Sequence, residues 1–437
     1  MSGKVWRIGV AGLGTVGGGL LKFLSERPDF APAGGKAVVT GVSARSRSRK
    51  REVDISALDW FDDPIDLAKS PETDVFVELV GGSDGPAKAA VEAALALGKP
   101  VVTANKALIA EHGAELAVLA EAKGAPLLFE AAVMGGVPAV KMVREALVGE
   151  DIVSIAGILN GTCNYILTEM EGLLDRGAQT PDAFKAVLAE AQRLGYAEAD
   201  PTMDIGGFDA AHKIVILSAL AFGGAPNYAA AEIEGLDQVE LLDIKLARDL
   251  GYRIKLVAST ERVEGGVAVR VHPALAPLEH PLARTMGALN ALFIEGRRIG
   301  RIFVQGPGAG EGPTAAAVAA DIADVMTGTV RPVFQAPAAQ LKALEGVDAS
   351  HRQGRIYLRL TVRDEPGVIA AVSETLAEER VSIDSFLQKP AHDGLDGVPI
   401  VLTTHAAPET VLLNAVRRIG ELPAVIGPPR MIRIARV

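Results

Sequence analysis

The chain has 437 residues, enough for two or three domains with cores of their own. Hydrophobic residues make up 49% and charged residues 22%, a globular balance, and the formal charge of −10 argues against a nucleic-acid partner. The single cysteine, Cys163, excludes an intrachain disulfide and cannot build a structural zinc site unaided, and no apolar run reaches the roughly 18 residues of a membrane span.

The N-terminus runs straight into a strand with no apolar leader, so a cytoplasmic protein is expected. Residues 5–10 form that strand, and Gly12-Leu13-Gly14-Thr15-Val16-Gly17 follows at once. Leu20, Leu21 and Leu24 then recur at helical spacing. Glycines between a strand and a helix allow close backbone approach to a pyrophosphate, and the helix offers it free N–H groups. The six residues are a candidate dinucleotide site; a plain structural turn is the alternative. A second strand is expected over 37–42. A NAD-preferring site would place an acid at its end, on the ribose 2′-hydroxyl. Here 43–51 carries five positive residues and no acid, which suits a 2′-phosphate, with Arg45 the nearest contact. A solvated basic loop is the competing reading.

A third strand is predicted over 75–80, running into Gly81-Gly82, and a helix over 86–97. Val101-Val102-Thr103 ends in Ala104-Asn105-Lys106, a polar triplet where open parallel sheets bind ligands. Leu127-Leu128-Phe129 leads into Glu130 and a glycine-containing turn. Strands alternating with helices through residue 130 predict a doubly wound sheet.

A second domain opens with a strand over 152–159 and a turn over 160–165. Cys163 in that turn suggests a nucleophilic thiol, with a small packed residue as the alternative. Four carboxylates and one lysine then fall within residues 195–213, where Pro201 and Gly206-Gly207 mark a loop. The apolar run 214–222 predicts a buried helix beginning near Asp209, and Asp209 and Lys213, four apart, share its face. On a surface such a pair is worth little. Beside a core, burial lowers the lysine pKa while the carboxylate holds it up, and the pair suits proton transfer. Strands are expected over 256–259 and 267–271. A glycine cluster from Gly306 through Gly308 to Gly312 opens an alanine-rich helix reaching about Met326, either a second anion contact or a cap. Residues 331–353 read as a linker. Beyond it, Ile356, Leu358, Leu360 and Val362 alternate with polar residues, and Asp364-Glu365-Pro366-Gly367 turns into a helix. Strands over 381–388 and 398–404, a helix over 409–419 and a strand over 430–436 complete a β-α-β-β-α-β order.

Residues 191–213 resemble the signature of homoserine dehydrogenases: Ala191, then Gly195-Tyr196-Ala197, Asp200-Pro201, Asp204-Ile205, a glycine, Asp209 and Lys213 at fixed offsets. Ala104-Asn105-Lys106 and the Glu130 to Val137 segment resemble further motifs of that family, and the turn at 364–368 resembles that of ACT regulatory domains. The family commonly has a second threonine where Cys163 stands. The resemblance implies an α/β chain: an NAD(P)-binding Rossmann-type domain over 1–135, completed by 308–345, and an α+β catalytic and dimerisation domain over 136–307. A linker over 331–353 and a ferredoxin-like ACT domain over 354–437 would follow. It implies interconversion of L-homoserine and L-aspartate 4-semialdehyde in threonine and methionine biosynthesis. The enzyme would be a homo-oligomer, dimer or tetramer, with L-threonine as effector at the ACT domain and no nucleic-acid or membrane partner.

The resemblance also assigns residues. Lys213 carries the proton, with Lys106 second. Glu198, Asp209, Asp204, Gly161 and Thr162 bind substrate. Beside the glycine turn and Arg45, read above from the residues themselves, Thr103, Lys106, Gly195, Gly306 and Gly308 are expected to contact the nucleotide; the basic loop favours NADP, with NAD the alternative. A monovalent cation, Na+, is held by the Glu130 carboxylate and the carbonyls of Val133, Gly135 and Val137. Two rival functions remain at this stage: a semialdehyde dehydrogenase working through Cys163, and a non-catalytic sensor of nucleotide and amino acid. The intact carboxylate–lysine segment argues against the sensor.

Overall fold

The computed structural model describes residues 4–31, 35–177, 182–329, 331–347, 352–388 and 397–436. Residues 32–34 of the Pro/Gly-rich connection, 348–351 of the expected linker and the extreme termini lie outside them. The first sheet holds six parallel strands: β1 (Val5–Ala11), β2 (Lys36–Ser43), β3 (Asp59–Phe61), β4 (Val75–Glu78), β5 (Val101–Thr103) and β6 (Leu127–Leu128). Their spatial order is β3-β2-β1-β4-β5-β6, so the winding reverses between β1 and β4 and opens a crevice there. All four residues of β4 are buried, as in a strand covered on both faces. The sequence counts β4 as the third strand; it is the fourth, because the three-residue β3 is too short to carry a periodic signal. Helix α1 (Thr15–Glu26) packs Leu20, Leu21 and Leu24 with Ile8, Val10 and Val77. Helix α2 (Lys106–Lys123) packs Leu108, Ile109 and Leu116 with Phe76 and Val101 on the opposite face.

The five long strands of the second domain form an antiparallel sheet covered by helices. Its strands are β7 (Ile152–Ile158), β8 (Tyr252–Val263), β9 (Gly266–Pro277), β10 (Leu289–Gly296) and β11 (Gly300–Pro307). Residues 160–165 are not a turn: Asn160 caps helix α3 (Gly161–Asp175) by accepting the Cys163 N–H. Helix α4 (Phe208–Phe222) is buried at every residue except Phe208 and Ala221, a central helix whose first turns carry Asp209, His212 and Lys213 inside. Helix α5 (Glu311–Thr327) returns to the first domain and crosses α1 closely, since a Cβ at Gly19 would lie 2.6 Å from Glu311 Cγ. The stretch 331–347, read from sequence as a linker, is laid on the body. Phe334 is fully buried against Gly113 of α2, and the backbones of Lys342 and Glu345 accept the N–H groups of Ala225 and Val267.

The C-terminal unit runs β12 (Gln353–Val362), α6 (Val368–Glu378), β13 (Ile383–Gln388), β14 (Val398–Thr404), α7 (Glu409–Gly420) and β15 (Arg430–Ile434). Both helices pack on one face of its sheet. This sheet does not stand apart. β15 pairs in parallel with β9, Ala274 opposite Arg433 and Leu275 opposite Ile434, so one sheet runs β11-β10-β7-β8-β9-β15-β12-β14-β13 through both domains. Beside the seam, Glu409 at the start of α7 takes Arg270 of β9 at 2.9 Å and Arg433 of β15 at 2.7 Å. Arg270 and Glu409 are almost wholly buried. Without the Glu409 charge Arg270 keeps only Glu232 and Arg433 only Glu234, both more exposed partners. Glu409→Gln is therefore expected to cost about 1.5–3 kcal/mol of stability, the worth of a hydrogen bond to a charged group, and to speed hydrogen exchange at the amides of β15 and Ala435. Unchanged exchange there would show that the pair does not hold the seam.

Candidate active site

The glycine turn at the carboxyl end of β1 is tight at its ends and open in the middle. Gly12 has φ +98°, and a Cβ there would lie 2.2 Å from the Leu79 oxygen; one at Gly17 would lie 2.0 Å from the Gly12 oxygen. Gly14, by contrast, has no atom within 4 Å of its would-be Cβ. Leu13 is buried, Thr15 and Val16 begin α1, and no side chain caps that helix, leaving first-turn N–H groups for an anion. The Ser43 oxygen at the end of β2 accepts the Gly12 N–H. In the basic loop after it, the Arg51 guanidinium binds the Ser46 and Arg49 oxygens, and Arg47 and Arg51 both lie over Trp60. Arg45 stays exposed.

Glu78 organises the neighbouring strand ends. Fully buried, it accepts the N–H groups of Val80 and Gly81 at 2.7 and 3.0 Å and the Thr103 hydroxyl at 2.5 Å. Thr103 Oγ1 in turn accepts the Asn105 N–H, and Asn105 caps α2, so Lys106 is the first residue of a fixed helix. Asn105 Nδ2 also donates to the Gly82 oxygen.

The Glu130 segment and the second glycine cluster lie against each other. Gly136 N donates to the Pro307 oxygen, a Cβ at Gly135 would lie 2.6 Å from the Gly308 oxygen, and one at Gly306 would lie 2.9 Å from Val137 Cγ2. Val133 and Val137 are buried. The Glu130 carboxylate is 2% exposed and accepts the N–H groups of Val140 and Lys141 at 3.1 and 2.7 Å. Burial, then the neighbouring Asp321, pushes it up to about 7; burial likewise pushes Asp321 up to about 6. The Lys141 ammonium lies 3.3 Å from Asp321 Oδ1, an ion-pair separation, not a directed hydrogen bond.

The acids and lysines meet at Asp209. Its two oxygens receive Lys213 Nζ at 2.7 Å, from the next turn of α4, and Lys106 Nζ at 2.8 Å, from the start of α2. Lys213 also donates to the Leu159 oxygen at 2.8 Å, which Asn290 Nδ2 shares at 3.0 Å. Asn160 Nδ2 bonds Asp204 Oδ1 at 2.7 Å and Asp209 Oδ2 at 2.8 Å. Burial would raise Asp209; the two ammonium groups outweigh it and hold the carboxyl far below its usual range. Burial lowers Lys213 against the pull of Asp209, whereas the Asp209 charge raises Lys106. Burial raises Asp204. Thr162 Oγ1 donates to the Tyr196 oxygen and so ties the start of α3 to the Gly195–Glu198 stretch. Gly161 sits close on the Ala288 oxygen, Gly195 is exposed with φ +80°, and the exposed Glu198 lies near enough to raise Lys106 by its charge.

Family profiles match in the same order. The profile described as homoserine dehydrogenase, NAD binding domain covers 12–130; homoserine dehydrogenase covers 138–323; and the ACT domain covers 356–424. A homoserine dehydrogenase of Neisseria gonorrhoeae is 42% identical over 99% of both chains, and one of Pseudomonas aeruginosa is 40% identical over 99% of this chain and 100% of that one. The chain belongs to the homoserine dehydrogenase family. The crystal structure of a homoserine dehydrogenase from Thiobacillus denitrificans superposes with a TM-score of 0.90 at 41% identity, covering 100% of this chain and 99% of that one. A hyperthermophilic archaeal homoserine dehydrogenase mutant in complex with NADPH aligns over 75% of this chain and 99% of its own, with a TM-score of 0.63 at 27% identity. The enzyme is thus an NAD(P)-dependent oxidoreductase acting on a CH–OH group.

Within this homoserine dehydrogenase the rival use of Cys163 loses its footing. The thiol is fully buried, donates to the Asp204 oxygen at 3.1 Å, and is raised by burial and by both nearby acids. That is a packed side chain, not a poised thiolate. Sequence reasoning missed Glu78, Asn160 and Asn290, whose side chains hold the site together. Glu78 alone left a signal, a carboxylate closing an otherwise apolar buried strand.

Proposed function

We propose that the enzyme interconverts L-homoserine and L-aspartate 4-semialdehyde with NADP, and that Lys213 moves the proton. The observation that carries this reading is Asp209 held between two ammonium groups at the start of a buried helix. When bound, the nicotinamide supplies the hydride acceptor for oxidation and the donor for reduction. Neutral Lys213 takes the hydroxyl proton in oxidation, and its ammonium form returns it in reduction. Burial moves Lys213 towards the neutral form, which suits it to the task. Lys106, raised by Asp209, is the second candidate. Asp204, Asp209 and Glu198 offer negative charge to the substrate ammonium, with Gly161 and Thr162 beside them. The glycine turn, Thr103, Gly195, Gly306 and Gly308 are the proposed nucleotide contacts, and Arg45 reads the 2′-phosphate.

The residues around Glu130 fit a monovalent cation. A carboxylate buried beside Asp321 lacks a full counter-charge, and a turn through Gly135 offers hard carbonyl oxygens. Glu130, Val133, Gly135 and Val137 would hold Na+ there, supplying the missing positive charge. On the same reading the enzyme serves threonine and methionine biosynthesis as a cytoplasmic homo-oligomer, with L-threonine acting at the C-terminal domain. Among the described residues no helix is long and apolar enough to cross a membrane.

Three measurements test the reading. Absorbance at the nicotinamide band should report homoserine oxidation, and Lys213→Ala should lower its turnover by roughly 10²–10⁴-fold with cofactor affinity nearly kept. Because oxidation needs the neutral amine and burial lowers its pKa, the unsubstituted rate should rise with pH and level off below the 10.5 of a free lysine. Near-normal turnover in Lys213→Ala would move the proton to Lys106. For the cofactor, Arg45→Ala should weaken NADP more than NAD, since only NADP carries the extra phosphate; equal losses would remove Arg45 from that role. For the effector, Asp364→Ala in the exposed turn before α6 should shift a threonine inhibition curve to higher concentration without changing uninhibited turnover. Coincident curves would detach that turn from regulation.

A further inference from the structure

Asn160 spends every polar atom of its side chain on the protein. Its two N–H groups go to Asp204 and Asp209, and its Oδ1 accepts the Cys163 N–H at 2.8 Å. It is 5% exposed, and neither N–H remains for a substrate. The two acids come from different elements, Asp204 from a short helix at Thr202–Ile205 and Asp209 from α4. As like charges they repel, and the Asp209 charge indeed raises Asp204. Lys213 and Lys106 supply positive charge against that repulsion, and a neutral amide with one N–H on each acid fixes how they stand. The oxygen it holds on Asp209, Oδ2, is also the one that receives Lys213. The preceding residue, Leu159, gives its carbonyl to the same lysine. The end of β7 therefore grips both members of the acid–lysine pair.

We infer that Asn160 is a positioning residue for the proposed proton transfer: its amide sets the separation of Asp204 and Asp209 and so aims Lys213, while its carbonyl starts the helix bearing Gly161 and Thr162. This rests on the functional reading above. Helix capping alone is the competing role, and it can be separated. Aspartate and serine cap as well as asparagine or nearly so. Neither can donate to both acids: aspartate brings a third negative charge, and serine is too short to bridge them.

The charged and titratable groups around the pair are Asp204 of the short helix, Lys106 of α2, Cys163 of α3, and His212 of α4 with its partner Glu111; Glu198 acts on Lys106. Of these changes only Asn160→Asp adds a charge, and a negative one keeps Lys213 protonated to higher pH.

The experiment is homoserine oxidation across pH for the full chain, Asn160→Asp and Asn160→Ser, with melting curves for all three. The expected results are Asn160→Ser folded at the assay temperature with kcat about 10²-fold lower, and Asn160→Asp, with a lower melting temperature because its added charge is buried, likewise slower and with its rising limb displaced to higher pH. Folded variants with the turnover and pH profile of the unsubstituted chain would overturn the positioning role while the functional reading stood. An unsubstituted chain that oxidises no homoserine with either nucleotide would overturn both.

Discussion

A carboxylate 4% exposed cannot remain ionised unless positive charge is brought to it. At Asp209 that requirement is met by Lys213 and Lys106 on separate oxygens. Much of the surrounding architecture follows from it. Lys213 must sit one turn along the same helix. Lys106 must open α2, which requires Asn105 to cap and Glu78 to hold Thr103 beneath it. Leu159 and Asn160 must end β7 against α4. The acid thus draws one element from the nucleotide domain and two from the catalytic domain to a single point, on the side where the first sheet opens its crevice.

The same logic extends to the C-terminal domain. A buried glutamate, Glu409, is answered by Arg270 and Arg433 across the β9–β15 seam. Arg433 also binds Glu234, whose N–H donates to Val271 of β9, and Leu236 N donates to the oxygen of Ile205, next to Asp204. The C-terminal unit and the short helix bearing Asp204 are therefore linked through hydrogen bonds joined by two short pieces of backbone, 234–236 and 204–205. An effector at that unit could act only by binding one state of this framework better than another.

Much of this was legible in the sequence wherever a local pattern carried it. The glycine turn after β1, the apolar run 214–222 of α4 with Asp209 and Lys213 one turn apart before it, and the alternation of β12 each state their own structure. What escaped was long-range. Asn160 and Leu159 lie about fifty residues before their partners on α4, and nothing in Asn160-Gly161-Thr162 announces a capped helix that also grips two acids. Asn290 reaches the Leu159 carbonyl across 131 positions. The stretch 331–347 reads as a linker from its prolines and polar residues, because the fully buried Phe334 is a single signal among them. The seam between β9 and β15 is invisible to any local reading, since two registered pairs define it.

The central claim is that Asp209 sets the protonation of Lys213 and Lys106, the lysines proposed for the proton transfer. The direct test is the pH dependence of homoserine oxidation in Asp209→Asn beside the unsubstituted chain. Asp209 raises both lysines, so its loss should release their protons more readily and move the rising limb to lower pH. A limb that stays where it was would mean that the proton passes through a group Asp209 does not touch.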